Sequence, residues 1–504
     1  MKQFLIALVW ILASGAALAQ SDEDWKSCEA EDAAAAIPAC TRLLETGKPD
    51  ETGRAVVLTN RATAYWRNAD FDQAIIDANK AIEIDAQYAP AYVRRGAAYG
   101  RKGDHDRAIA DATQAIALDP KDFRPYVNRG LAYARTGKFD QAVADADKAT
   151  AINPKDARTH GARGEIYGQS GDFDRAIANF TKAIEIDPKL FNAYGGRGSA
   201  LLRKGEYDQA IADYAKLIEI KPKDASAYVG RGNAYARKGD YERAIADSNK
   251  AIEIDPKYHS AYGVRGSAYA YKGDYDQAIA DYTKLIETDP KDARVYDGRG
   301  NVYASKGDYD RAIVDYTKSI EMDSNFTNAY RNRGSAYERK GDYEAAVADY
   351  ARVVEFDPKN FAYARSLGLM KFLTGDFRGA SNDLSRAFEL RGDIYVTLFL
   401  YLARKRAGEA AEKELETNAK QLPVKIWPYA LAELYLGKRS ADQLMAAETK
   451  DNVRCQTQFY VGEWYVVKGS VEEGLNALDA AAQSCAKVLI EGKAAVAELK
   501  RLKP

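Results

Sequence analysis

Between Ala89 and Asp122, small and apolar residues fall into two stripes of helical spacing. Tyr92, Gly96 and Tyr99 share one face of a first helix, and Ala108, Ala112 and Ala115 share one face of a second. The polar break between them supplies a stop and a start. Gly103 suits the left-handed turn that ends a helix, and Asp104 follows where a carboxylate caps the next one. The second stripe runs to Asp119-Pro120, where proline ends it. The pattern predicts an antiparallel helix pair.

The pair returns every 34 residues, marked by Asp119-Pro120, Asn153-Pro154, Asp187-Pro188, Lys221-Pro222, Asp255-Pro256, Asp289-Pro290, Asp323-Ser324 and Asp357-Pro358. Gly137, Gly171, Gly205, Gly239, Gly273, Gly307 and Gly341 repeat the stop of Gly103, and Asp172, Asp240, Asp274, Asp308 and Asp342 repeat the cap of Asp104. In period and residue pattern the chain resembles tetratricopeptide repeat (TPR) proteins. The resemblance implies an all-α TPR solenoid, a right-handed superhelix of antiparallel helix pairs with helical caps. Steps of 34 give about ten units over 55–394, from 55–88 to 361–394. The first unit has Ala62 and Ala69 where glycines usually stand, and the last has Ala364 and Lys371 in place of aromatics, as end units facing water do. Gly130, inside a first helix, weakens it and implies close packing against a neighbour. The period also accounts for most of the 34 tyrosines, such as Tyr133, Tyr235, Tyr269 and Tyr303, as packing residues.

One position breaks the apolar stripe. The residue before the first-helix glycine, leucine in the usual pattern, is Arg61, Arg95, Arg129, Arg163, Arg197, Arg231, Arg265, Arg299 or Arg333. The second helix repeats an acid among alanines: Asp77, Asp111, Asp145, Asp213, Asp247, Asp281, Asp315 and Asp349, with Asn179 as the exception. A half-buried guanidinium requires a partner, and its planar fork suits a carboxylate. The recurrence predicts a ladder of ion pairs, within units or between neighbours, in preference to an arginine row that binds an anion.

TPR arrays present a concave groove lined by the first helices. The resemblance places Val127, Leu131, Arg135, Gly195, Ser199, Arg203, Val229, Asn233, Arg237, Asn301 and Ser335 in it, with Arg67, Arg101, Arg135, Arg203, Arg237 and Arg339 near the rim. That lining suits an extended peptide or an acidic segment; the competing reading is solvated arginine at helix ends. Val93, Val127, Val229 and Gly263 stand where chaperone-tail-binding TPRs carry lysine, which argues against that ligand.

The ends differ from the array. Residues 1–19, with Lys2, an apolar run from Phe4 to Leu12 and Ala17-Leu18-Ala19, have the layout of a cleaved secretory leader, and no cysteine follows for lipid attachment. A periplasmic or secreted protein is expected. Residues 20–54 read as a helical cap that Cys28 and Cys40 would bridge; Cys455 and Cys485 bracket a TPR-like hairpin over 455–487 and would bridge that. The region 395–504 resembles the tail of the new lipoprotein I family of bacterial envelope adaptors, through Leu434-Tyr435-Leu436-Gly437, Gln458-Phe459-Tyr460-Val461-Gly462, Lys468-Gly469 and Ala494-Ala495-Val496-Ala497-Glu498-Leu499. That family is known for TPR adaptors of peptidoglycan hydrolases and of an envelope protease.

Composition removes several alternatives. A formal net charge of −1 offers nothing to nucleic acid, and no apolar run after the leader reaches membrane-spanning length. His105, His160 and His259 fall at unrelated repeat positions, no CxxC or HExxH spacing holds a metal, and no GxSxG or phosphate-binding loop is present. The expectation is a non-enzymatic scaffold without cofactor or metal that binds a protein or peptide partner. The alternative is a carrier holding an extended peptide or an anionic small ligand in its groove. If the ladder exists, Arg197→Ala leaves a carboxylate stranded and lowers the melting temperature, whereas replacing both partners by apolar residues is nearly neutral. An unmoved melting curve for Arg197→Ala would remove the ladder.

Overall fold

Starts and stops in the sequence become helix ends in the computed structural model, which describes residues 22–46, 49–422, 427–447, 451–485 and 489–503. The expected leader lies outside the described residues. Helix Ala225–Lys238 starts at Asp224, whose carboxylate accepts from the Ser226 amide, and ends at Gly239 with φ +89°. Helix Tyr241–Ile254 then starts at Asp240, which accepts from the Arg243 amide. Asp104, Asp172, Asp308 and Asp342 cap in the same way. Asp274 holds the cap position without that bond and lies 3.4 Å from Lys272. In the first unit Ala69 takes the left-handed turn at φ +62°, which a β-carbon disfavours.

The chain forms two compact units, divided at Val264 and Arg265. The amino-terminal unit opens with a hairpin of helix 22–28 and helix Ala33–Glu45, joined by Cys28–Cys40 with Cα atoms 4.8 Å apart. Six helix pairs follow, from Glu51–Arg67 with Phe71–Ile84 to Ala225–Lys238 with Tyr241–Ile254. The other unit continues in pairs to Phe377–Leu390. Beyond it, Ile394–Arg406 is apolar all round and buries Leu398, Phe399, Leu400 and Leu402. It is no membrane span, since among the described residues no helix is long and apolar enough to cross one. Phe399 meets Phe372 edge-on at 5.2 Å and stacks on Phe459 at 5.7 Å. The final helix, Ile490–Leu502, folds back on this core, where Arg501 donates to the Phe372 carbonyl at 3.1 Å and Lys493 pairs with Glu338 at 2.7 Å. Cys455 and Cys485 join the hairpin of Asp451–Val467 and Val471–Ser484, their Cα atoms 5.1 Å apart.

Within a pair, a buried alanine faces a glycine. A β-carbon added to Gly130 would lie 3.1 Å from the Ala142 carbonyl and 3.2 Å from Ile166, so the helices approach only because that atom is missing. Between pairs, a second-helix aromatic is wedged between two glycines, one of its own unit and one of the next. Phe180 lies between Gly164 and Gly196, and Tyr214 between Gly198 and Gly230; in the other unit Tyr282 lies between Gly266 and Gly298. Added β-carbons at Gly196 and Gly230 would overlap those rings, and at Gly298 one would sit 2.7 Å from Tyr282. Where the aromatic is replaced by Ser248, its following partner is Val264. At these seams a large ring meets glycine and the small Ser248 is followed by Val264, whereas Tyr316 is followed by Asn332 and Tyr350 by Ser366.

Gly230→Val should therefore cost about 1–3 kcal/mol by overpacking against Tyr214. Tyr214→Ser in the same chain copies the native Ser248–Val264 combination. Thermal melts of both single variants and the double variant should show the double clearly more stable than the two costs predict together; strict additivity would deny the size matching.

Candidate functional site

The arginine and acid that recur along the array meet in forks. In Arg129, Nε donates to Asp145 Oδ2 and Nη2 to Oδ1, both at 2.8 Å. The same two bonds join Arg95 to Asp111, Arg197 to Asp213, Arg231 to Asp247, Arg265 to Asp281, Arg299 to Asp315 and Arg333 to Asp349, at 2.6–2.9 Å. Arg61 and Asp77 form one more. The acids are buried and the arginines half-buried. The carboxylate hydrogen bond outweighs desolvation and raises the guanidinium pKa, as at Arg129 and Arg197. The remaining nitrogen, Nη1, turns to the preceding unit. It reaches Asn79 from Arg95 at 2.7 Å, Thr113 from Arg129 at 3.1 Å, and Thr181, Thr283 and Thr317 from Arg197, Arg299 and Arg333 at 3.0 Å. Each of these rungs holds its own helix pair together and ties it to the one before.

Arg163 is the informative exception. With Asn179 in place of the acid, it turns to Asp147 of the preceding unit at 2.6 Å, and its Nε is left buried without a partner. The acid has moved from one side of the rung to the other.

The expected groove residues divide into three groups. Val229 is not available to a ligand: it is 8 % exposed and packs with Ala225, Ala251 and Ala261. Val127 and Leu131 are half-buried, Leu131 against Ala134, Ala142, Ala146 and Ile166. A second group is engaged by second-helix tyrosines: Ser199 by Tyr214, Ser335 by Tyr350, and Asn301, which accepts from Tyr316 at 2.8 Å and donates to Asp297 at 3.0 Å. Asn233 is half-buried. The third group is exposed arginine: Arg101, Arg135, Arg203, Arg237 and Arg339. Arg135 pairs with Glu165 at 2.8 Å and Arg203 lies over the Phe173 ring at 5.7 Å.

Three polar features were not anticipated. In one unit, Asp297 is nearly buried and accepts from Asn301 and from Asn332 at 2.8 Å; burial pushes its carboxyl up, against the pull of both amides. In the other, burial of Arg94 and the charges of Arg124, Arg67 and Arg158 bring its pKa down to about 10 against the opposing pull of Asp122. The doublet Arg94-Arg95 was the available signal, because the equivalent positions Asn128, Ala162, Gly196 and Gly230 are uncharged. Near the carboxy terminus, Glu463 and Glu498 are wholly buried with Arg406 and Arg501. Burial pushes the Glu463 carboxyl up despite Arg406, and the two arginines balance the two acids as a structural knot. Among the described residues no cluster of His, Cys, Asp or Glu could hold a metal.

Stacked helix pairs with a repeated interior rung and a charged first-helix face define an all-α repeat protein. The family models agree on which one. TPR repeat and tetratricopeptide repeat models match 55–88, 93–157, 164–205, 198–239, 225–258, 266–305, 300–341 and 327–360, more than half of the chain. The chain belongs to the tetratricopeptide repeat family. These matches stop before the carboxy-terminal region, and nothing in them carries its likeness to the new lipoprotein I family. No curated protein matches the chain by sequence. Among solved structures, a tetratricopeptide repeat protein from Parabacteroides merdae is 22% identical over 49% of this chain and 98% of its own, with a TM-score of 0.42. Yeast Tom70 is 15% identical over 84% of this chain and 99% of its own, at 0.43. YrrB, described as a TPR protein with an unusual peptide-binding site, is 24% identical over 37% and 97%, at 0.30.

The displaced acid at Arg163 gives a test of the rung. Asp147→Asn alone should destabilise by about 0.2–1 kcal/mol, the worth of a partly exposed ion pair. In an Asn179→Asp background the same change should cost little, because Arg163 regains the partner its neighbours have. A thermal double-mutant cycle measures the difference, and equal costs in both backgrounds would show that the two acids do not substitute for one another.

Proposed function

We propose that this TPR protein is an exported interaction scaffold whose first-helix faces hold a protein or peptide partner in the bacterial cell envelope. The observation that carries the reading is the division of its arginines. One set is consumed by the interior forks, while Arg101, Arg237 and Arg339 project from first-helix ends into solvent, where the repeat architecture does not require them. Export rests on the leader-like residues 1–19, and a pair of cysteines at either end suits an oxidising compartment. A role in positioning peptidoglycan-remodelling or proteolytic enzymes rests on the resemblance of 395–504 alone. The alternative, a carrier for an extended peptide or small anion, is supported by the same exposed arginines.

Crosslinked purification of the full chain from envelope extracts distinguishes the two. The scaffold predicts a stoichiometric folded partner, lost on combined Arg101→Gln, Arg237→Gln and Arg339→Gln substitution with no change in melting temperature. A co-purifying peptide or small anion without a folded partner favours the carrier. Capture unaffected by the triple substitution would overturn both.

A further inference from the structure

In the carboxy-terminal unit, the first-helix face ends under the chain's own last helix. Arg365, Leu369 and Leu373 on helix Phe361–Thr374 stand, at steps of 34 residues, where Val127, Leu131 and Arg135 stand on theirs. Arg101, Arg135, Arg203, Arg237 and Arg339 at the third of these positions are exposed, whereas Leu373 is 4% exposed. What covers it is helix Ile490–Leu502. Arg501 donates to the carbonyls of Phe372, at 3.1 Å, and of Leu373, and Leu499 and Leu502 pack on the cluster that holds Leu369, Phe372 and Leu373. One pair earlier, on helix Thr327–Lys340, Glu338 accepts from Lys493 at 2.7 Å, and its other oxygen accepts from Tyr350 at 3.1 Å. Glu338 precedes the exposed Arg339, so the last helix lies across positions of two successive pairs that elsewhere are open to a partner.

The hold is made of small and charged residues. Gly492, Ala494 and Ala495 are buried, Leu499 and Leu502 only in part, and Val496 faces outward. Glu491 and Glu498 are buried with polar partners: Gln456 donates to Glu491 at 3.0 Å and Tyr460 at 3.4 Å, and Arg406 pairs with Glu498. Burial pushes the Glu491 carboxyl up, against the pull of its backbone amide, Gln456, Tyr460 and the charge of Arg365. Desolvation offsets most of what a buried ion pair gains, and alanine buries little apolar area. Such docking is specific in register yet shallow, the condition for an element that opens while its surroundings stay folded. We infer that helix Ile490–Leu502 is an autoinhibitory strap, which occupies the first-helix face of the pairs beginning at Thr327 and Phe361 and leaves before a partner can use them. The surface it uncovers takes a helix of the same pattern, with small residues on its inner face and a lysine for Glu338. The consequence for binding rests on the function proposed above; the strap itself does not.

The test uses the full chain and a fluorescent peptide of residues 489–503, added in trans and read by anisotropy. A tethered helix competes at an effective concentration that a free peptide does not match, so the unaltered chain should take the peptide up poorly. Lys493→Glu in the chain sets two acids against each other and opens the strap, and the native peptide, which keeps its lysine, should then bind about tenfold or more tightly, the worth of one charge-assisted hydrogen bond. Glu338→Lys in the chain should instead take up the Lys493→Glu form of the peptide. Hydrogen exchange on the unaltered chain supplies a measurement that no variant has to survive: amides of 490–502 should exchange by local opening ahead of those of 361–374. Native peptide bound as tightly by the unaltered chain as by Lys493→Glu, neither folded variant binding its matched peptide, or exchange of 490–502 only together with 361–374 overturns the strap. If the strap fails while a folded partner still co-purifies in an Arg101-, Arg237- and Arg339-dependent way, the scaffold reading stands; if it opens as expected and no partner is captured, only the scaffold reading falls.

Discussion

A guanidinium half-buried between helix pairs is tolerable only if its hydrogen-bond donors are met, and the rest of the array depends on how that is done. Asp on the second helix takes Nε and Nη2, which closes the helix pair. The geometry of the fork then leaves Nη1 aimed at the preceding unit, where threonine or asparagine accepts it. One side chain therefore fixes both the pairing of helices and the stacking of pairs. The end of the ladder shows what replaces it. In the last unit the arginine gives way to buried Leu367, and the leftover acid, Asp383, is taken by Lys371 at 2.7 Å. The polar rung stops where the apolar core around Phe372 and Phe399 begins.

A ladder of identical rungs cannot tell one neighbour from another. Any unit slipped by a whole repeat would offer the same arginine and the same acid. The inter-unit seam supplies the missing distinction, because Gly230 accepts the ring of Tyr214, whereas Val264 follows Ser248. Valine in place of Gly230 would collide with the ring, and glycine in place of Val264 would remove a side chain packed against Ala225, Val229, Ala251 and Ala261. Charge closes each pair onto the one before it, and side-chain volume distinguishes some of the seams from others.

The features visible in the sequence are those that recur at every unit. The period, the glycine stops, the aspartate caps and the partnership of arginine with acid each depend on contacts within one pair or its immediate neighbour, so the 34-residue phase displays them. The exposed face is different, because it depends on how far adjacent pairs cover each other. Val229 and Val127 occupy the same repeat position, yet one is buried and the other half-exposed. Asn301 and Ser335 read as free polar groups until the second-helix hydroxyls of Tyr316 and Tyr350 reach them. The tyrosines divide in the same way, although Tyr133 and Tyr303 pack against the buried clusters as expected. Tyr133, Tyr235 and Tyr303 stay half-buried beside Lys138, Arg243 and Arg311, while Tyr214, Tyr316 and Tyr350 fill the interior.

A formal net charge of −1 conceals this division of labour. Arginines in the forks are sheltered and paired with buried acids, so salt has little to screen there. Those on the first-helix ends interact through water, where screening at physiological ionic strength removes most attraction beyond about 8 Å. Stability and binding should consequently respond differently to added salt, the first weakly and the second steeply. That separation follows from placing one residue type in two environments, and it allows a contact surface to be retuned without loosening the rungs that hold the units in register.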